Sequence, residues 1–130
     1  MTDPIEALQA ALECRQRGEH AAASRLLRQV LAVQPAHPDA LHLFGLCLHA
    51  QGDSAGALIQ IRKAIEVKPK EPMFHVNAGA VAVAAGDVKG GIASYRLALE
   101  LDPGYADAYN NLGVALQHIG LFEEAAAALR

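Results

Sequence analysis

The chain has 130 residues, 52% of them hydrophobic and 19% charged, which excludes a disordered polypeptide and leaves apolar material for one ordinary domain. Aromatic residues make up only 5% and tryptophan is absent, so alanine and leucine carry the apolar content and favour helix over strand. Eleven Lys and Arg against fourteen Asp and Glu give a net charge of −3, without the basic excess that displaces counterions from nucleic acid.

At the N-terminus, Met1-Thr2-Asp3-Pro4 lacks the basic start and apolar stretch of a signal peptide. The longest apolar run, Ala78 to Ala85, is far short of the roughly 20 residues that span a bilayer. A cytoplasmic chain with no membrane partner is expected. The first helix is predicted over 4–17. Pro4 suits a first helical turn, where its missing N–H is not needed, and Asp3 with Glu6 three residues on resembles a capping box. Gly18 can end that helix in the left-handed conformation, and a second helix runs over 20–33 until Pro35 stops it. The same grammar then recurs. It predicts helices over 38–51 and 54–67, over 72–85 and 88–101, and over 106–119 and 122–130, with Asp53 and Asp87 as N-caps.

The recurrence is numerical. Pro4, Pro38 and Pro72 step by 34, as do Pro35, Pro69 and Pro103, and these are all six prolines. Gly18, Gly52, Gly86 and Gly120 keep that step. So do two series of small residues, Ala11, Gly45, Gly79, Gly113 and Ala23, Ala57, Gly91, Ala125. A fixed period of this length means a solenoid of helix pairs. Its units fall at about 4–37, 38–71, 72–105 and 106–130, within a single domain spanning 1–130. The small residues sit where paired helices cross and let the backbones approach. Leu48, Ile61, Ile65, Tyr95, Leu99, Leu112 and Leu116 are the expected larger core residues.

Tyr109-Asn110-Asn111-Leu112-Gly113, followed by Leu116, Gly120 and Ala125, resembles the tetratricopeptide repeat (TPR). The second unit supplies the pattern with Leu41, Gly45, Leu48, Ala57, Ile61, Ala64 and Pro69. The third supplies it with Gly79, Tyr95, Ala98 and Pro103. The first departs from it at Ala11 and Val30. The resemblance covers essentially the whole chain. It implies an all-α, right-handed superhelix of antiparallel helix pairs, three full repeats and a truncated fourth, whose first helices line a concave groove for a peptide or partner segment.

On that mapping the groove carries Leu8, Leu12 and Arg15 from the first repeat, then Asp39, His42, Leu46 and His49 from the second. The third adds Met73, Val76, Asn77, Ala80 and Val83. The fourth adds Asp107, Asn110, Asn111, Val114, Gln117 and His118. Leu8, Leu12, Leu43 and Met73 stand where chaperone-binding TPRs carry the Lys, Arg and Asn of a carboxylate clamp, so that subfamily is not expected. Asn77 and Asn111 match the asparagine ladder of O-GlcNAc-transferase-like arrays, whereas Gln9 and Leu43 depart from it. An amide both donates and accepts, so it can grip an extended backbone without reading its sequence. The run Asp39-Ala40-Leu41-His42-Leu43-Phe44-Gly45 is also similar to N-terminal TPR arms of bacterial glycosyltransferases. There the arm recruits the acceptor, sometimes a surface protein such as a flagellin. The resemblance therefore implies a non-catalytic recruiting arm with no cofactor. The alternative is a free-standing scaffold or chaperone-like adaptor.

Other chemistry-bearing residues have plainer readings. His42 and His49 lie about 10.5 Å apart along a helix axis, too far to share one metal ion, and with His118 they read as groove polar residues or solvated imidazoles. His75 takes the packing position of Leu41 and Tyr109. Cys14 and Cys47 are expected as buried thiols, with neither CxxC spacing nor a base beside them. Gly91 belongs to the small series, while Gly90 has no packing reason in the sequence, with a flexible point in the superhelix as the functional alternative. Arg62-Lys63 and Lys68 with Lys70 read as a solvated convex face. The counterparts of Ile65 and Leu99 would fall at residue 133, so the chain is expected to be part of a longer protein. Phe122, Ala126 and Leu129 should then be partly uncovered, inviting self-association or fraying of the last helix.

Overall fold

The computed structural model describes residues 3–128, and among them seven helices and no strand form. They are α1 (Pro4–Gln16), α2 (His20–Val33), α3 (Pro38–Ala50), α4 (Ser54–Val67), α5 (Pro72–Ala84), α6 (Val88–Leu101) and α7 (Ala106–Ala128). The first six match the sequence expectation to within one residue at each end, because their ends are set locally. The Asp3 carboxylate accepts from the Ile5 N–H at 3.1 Å, Asp53 from Gly56 at 2.8 Å and Asp87 from Gly90 at 2.9 Å. His37 caps α3 in the same way, its Nδ1 accepting from the Ala40 N–H at 3.1 Å. Gly18, Gly52 and Gly86 have φ of +79°, +91° and +95° and reverse the chain between paired helices. Past each of them the next N–H turns back onto the helix just ended, as when Asp53 donates to the Leu48 carbonyl at 2.9 Å.

The chain forms two compact units, Met1–Lys70 and Glu71–Arg130. In the first, α2 packs between α1 and α3, and α4 packs on α3. Its core joins Ala7, Ala11 and Cys14 of α1 to Ala23, Leu27 and Val30 of α2 and to Ala40, Phe44 and Cys47 of α3. The Arg28 guanidinium lies over the Phe44 ring, 5.5 Å from its centroid. In the second unit α6 packs between α5 and α7, around Val76, Ile92, Tyr95, Ala98, Ala108 and Ala115.

The small series does what helix crossing requires. A Cβ on Gly45 would stand 2.9 Å from the Ala57 carbonyl oxygen, and one on Gly79 would stand 3.0 Å from that of Gly91. Backbones touch at both crossings, and Ile61 and Tyr95 close over them fully buried or nearly so.

The fourth pair differs from expectation. Residues 106–128 form one unbroken helix, so the predicted break between 106–119 and 122–130 does not occur, and Gly120 is not left-handed. A left-handed glycine permits a reversal but does not drive one; burial of the returning helix drives it. No returning helix packs back onto residues 106–119, so the helical hydrogen bonds simply continue through Gly120. The consequence is exposure. Leu116 is 43% and Tyr109 54% exposed, where Leu41 and His75, the counterparts of Tyr109, are 3% and 8% exposed. Leu116 is therefore not core. Phe122 is open as expected, while Leu129 lies outside the described residues. Helix α6 runs unbroken through Gly90, which sits directly beneath its capping carboxylate as Gly56 does beneath Asp53.

Candidate functional site

In the first unit the predicted face is carried by α1 and α3, which touch directly. Leu12 is exposed, and Arg15, Leu46 and His49 are half-buried, all available to a ligand at least in part. His42 is not a solvated groove residue. It is buried, and that burial, reinforced by the positive charge of Arg15 and opposed by Asp39, lowers its pKa from 6.5 to about 4. The imidazole is therefore neutral at pH 7. His49 is hydrogen-bonded through Nδ1 to the Ser54 hydroxyl at 3.1 Å, tying the end of α3 to the start of α4. Cys14 and Cys47 are buried free thiols, and burial pushes the Cys47 pKa up, away from thiolate chemistry.

In the second unit the face has a distinct concavity. A hollow of about 250 Å³ is lined by Ala80 and Val83 of α5, Tyr95 of α6, and Asn111, Val114, Ala115 and His118 of α7. Ala80, Asn111, Val114 and His118 of the predicted groove are thus brought together. Asn77 stands half-buried one turn before Ala80, and Asn110 and Gln117 are exposed on α7. Val76 is a correction: it is 5% exposed and belongs to the core with Ile92 and Tyr95. Its neighbours on α6 and α7 close over it, which helical spacing on α5 could not foretell.

Tyr95 was expected only as core, yet it also walls the hollow. The signal was present in the sequence: Ala80 and Ala115 are small, so the large Tyr95 ring between them reaches the wall of the hollow while staying buried. Burial raises the Tyr95 pKa, so its hydroxyl stays protonated. At the rim the His118 and Phe122 rings pack edge-to-face, their centroids 5.0 Å apart with 66° between planes. The lining can take an apolar side chain while the Asn111 amide pairs with an adjoining backbone.

A tetratricopeptide repeat family model matches residues 8–72, and a second TPR model matches residues 81–120. An O-GlcNAc transferase mutant of Thermobaculum terrenum is 37% identical over 89% of this chain, with a TM-score of 0.80. The match covers 23% of that structure's chain, so this chain spans about a quarter of it. The Sgt2 TPR domain of Aspergillus fumigatus superposes with a TM-score of 0.89 at 20% identity, covering 95% of this chain and 83% of that one. The Yersinia enterocolitica type III secretion chaperone SycD, in complex with a peptide of the translocator YopD, gives a TM-score of 0.82 at 19% identity. That match covers 95% of this chain and 97% of SycD. No curated protein matches the chain significantly.

Proposed function

Since the chain belongs to the tetratricopeptide repeat family, we propose that it is a non-catalytic protein-interaction module whose first helices receive a peptide or partner segment. The observation that carries this reading is the hollow of the second unit, apolar within and bordered by Asn111 and His118. Such a surface suits an extended peptide, which offers a side chain to the cavity and a backbone amide to the asparagine. SycD, a structural relative, holds a peptide of YopD, which supports the same class of ligand here.

The more specific reading is a recruiting arm for a protein-modifying, glycosyltransferase-like enzyme. The 37% identity to the Thermobaculum terrenum O-GlcNAc transferase supports it, as do Asn77 and Asn111, 34 residues apart on successive first helices. Its ligand would be an acceptor protein, such as a flagellin-like surface protein. A second partner in this reading is another copy of the chain, through the open face of α7.

The test is calorimetric titration of the chain with peptides tiled across candidate acceptors. Asn77→Ala combined with Asn111→Ala should weaken binding at least about tenfold, since each amide hydrogen bond contributes about 1 kcal/mol. The circular dichroism of the variant should be unchanged. Undiminished affinity in the double variant would remove the asparagines from the site, and capture of acceptors only by a surface outside α5–α7 would overturn the reading.

A further inference from the structure

Tyr95 is 3% exposed, and the little surface it keeps belongs to the hollow between α5, α6 and α7. Its ring lies against Gly79, where a Cβ would stand 2.6 Å from Cε1, so the ring is held and the direction of its hydroxyl is fixed. That hydroxyl makes no hydrogen bond to any described residue, and burial alone raises its pKa. Nor is it sealed in. Among the described residues, His20 Nδ1 is buried, covered and unpartnered, whereas the Tyr95 oxygen retains accessible surface. A fixed donor, unpaired and open to a hollow, makes a demand on whatever fills that hollow. Charge narrows the answer. Helix α5 carries no Asp, Glu, Lys or Arg, and α7 carries Asp107, Glu123 and Glu124 but no Lys or Arg. On α6, Lys89 and Arg96 are exposed and point about 100–120° away from Tyr95 around the helix axis. The lining therefore offers neither a Lys or Arg for a carboxylate nor a carboxylate for an ammonium group. A neutral tip remains.

We propose that the hollow takes a glutamine side chain of the bound segment, its methylenes against Ala80, Val83 and Val114 and its amide oxygen accepting from the Tyr95 hydroxyl. This rests on the reading of the hollow as a peptide site and names the residue type that the site selects. About 250 Å³ leaves room for a long unbranched stem, and the apolar walls suit methylenes. The carboxamide is neutral, so its burial needs no counter-ion. Its NH2 group finds acceptors in the Asn111 amide and the His118 ring on α7, so both ends of the tip can be satisfied. Methionine has a similar length and no amide, and it would cover the Tyr95 hydroxyl without pairing it. Glutamate has the same shape and would bring an unbalanced charge. Tyr95 thus acts as the specificity-determining residue of the hollow.

The test is a nuclear magnetic resonance titration of the 130-residue chain with three capped tripeptides, Ala-Gln-Ala, Ala-Met-Ala and Ala-Glu-Ala, following the methyl signals of Val83 and Val114. The glutamine peptide should bind about tenfold more tightly than either of the others. Tyr95→Phe keeps the ring against Gly79 and removes only a hydroxyl that has no partner within the chain, so the urea midpoint should not move. In that variant the preference for glutamine over methionine should fall to within about twofold. If all three peptides shift the valine signals equally, or if Tyr95→Phe keeps the full preference for glutamine, the proposal is overturned while the hollow stands as a peptide site. If no peptide moves Val83 or Val114, the hollow receives no side chain, and both readings fall together.

Discussion

Gly45→Ala places one methyl group where α3 crosses α4. The new Cβ would stand 2.6 Å from Ile61 Cγ1 and 2.9 Å from the Ala57 carbonyl oxygen. Ile61 is fully buried, and the carbonyl belongs to the α4 backbone, so neither yields without the helices parting. Overpacking of this kind costs about 1–3 kcal/mol. Alanine recovers about 0.8–1 kcal/mol over glycine inside a helix, leaving a net loss of roughly 0–2 kcal/mol. Gly113→Ala is the internal control. Its methyl group meets nothing within 4 Å, so only the helix gain of about 0.8–1 kcal/mol remains for the monomer. Urea denaturation followed by circular dichroism, at a concentration where the chain is monomeric, should leave Gly45→Ala less stable than Gly113→Ala by roughly 1–3 kcal/mol. If Gly45→Ala proves as stable as Gly113→Ala, the crossing is not the close contact described and the small-residue argument fails.

Two further perturbations test the first unit and the helix caps. His42 has a folded pKa of about 4 and an unfolded value near 6.5, so the unfolded chain binds the proton first. Its contribution to stability is complete above pH 6.5 and is lost as pH falls through 4, amounting to at most about 3 kcal/mol. In His42→Leu the loss of stability between pH 7 and pH 4 should shrink, and an unchanged loss in denaturation curves would contradict the assignment. Asp87→Ala removes the cap of α6 and should cost about 1 kcal/mol, with amide exchange rising first at Gly90. Exchange that stays slow there would mean that packing, rather than the cap, holds that turn.

Much of the architecture is local physics written directly into residue types. Proline in a first turn, aspartate at an N-cap and glycine at a left-handed reversal each act within a few residues, so six helices and their 34-residue step follow from the chain alone. The cap on α3 escaped because histidine is an uncommon N-cap, and its role depends on an Nδ1 that happens to reach the Ala40 N–H. The groove was legible as a face and not as a site: spacing places Asn111 and His118 together on α7, but Tyr95 walls the hollow from a different helix.

What tertiary structure decided was which of these local permissions were used. Gly120 has the same residue type and the same place in the repeat as Gly52 and Gly86, yet it continues a helix that they end. A glycine lowers the cost of reversal equally at all three positions. Only the apolar surface buried by the returning helix decides whether reversal happens. The same holds for His42 and Val76, which helical spacing puts on the ligand face and which burial withdraws from it. Sequence determines what each residue can do alone, and packing determines whether a neighbour is there for it to do it with.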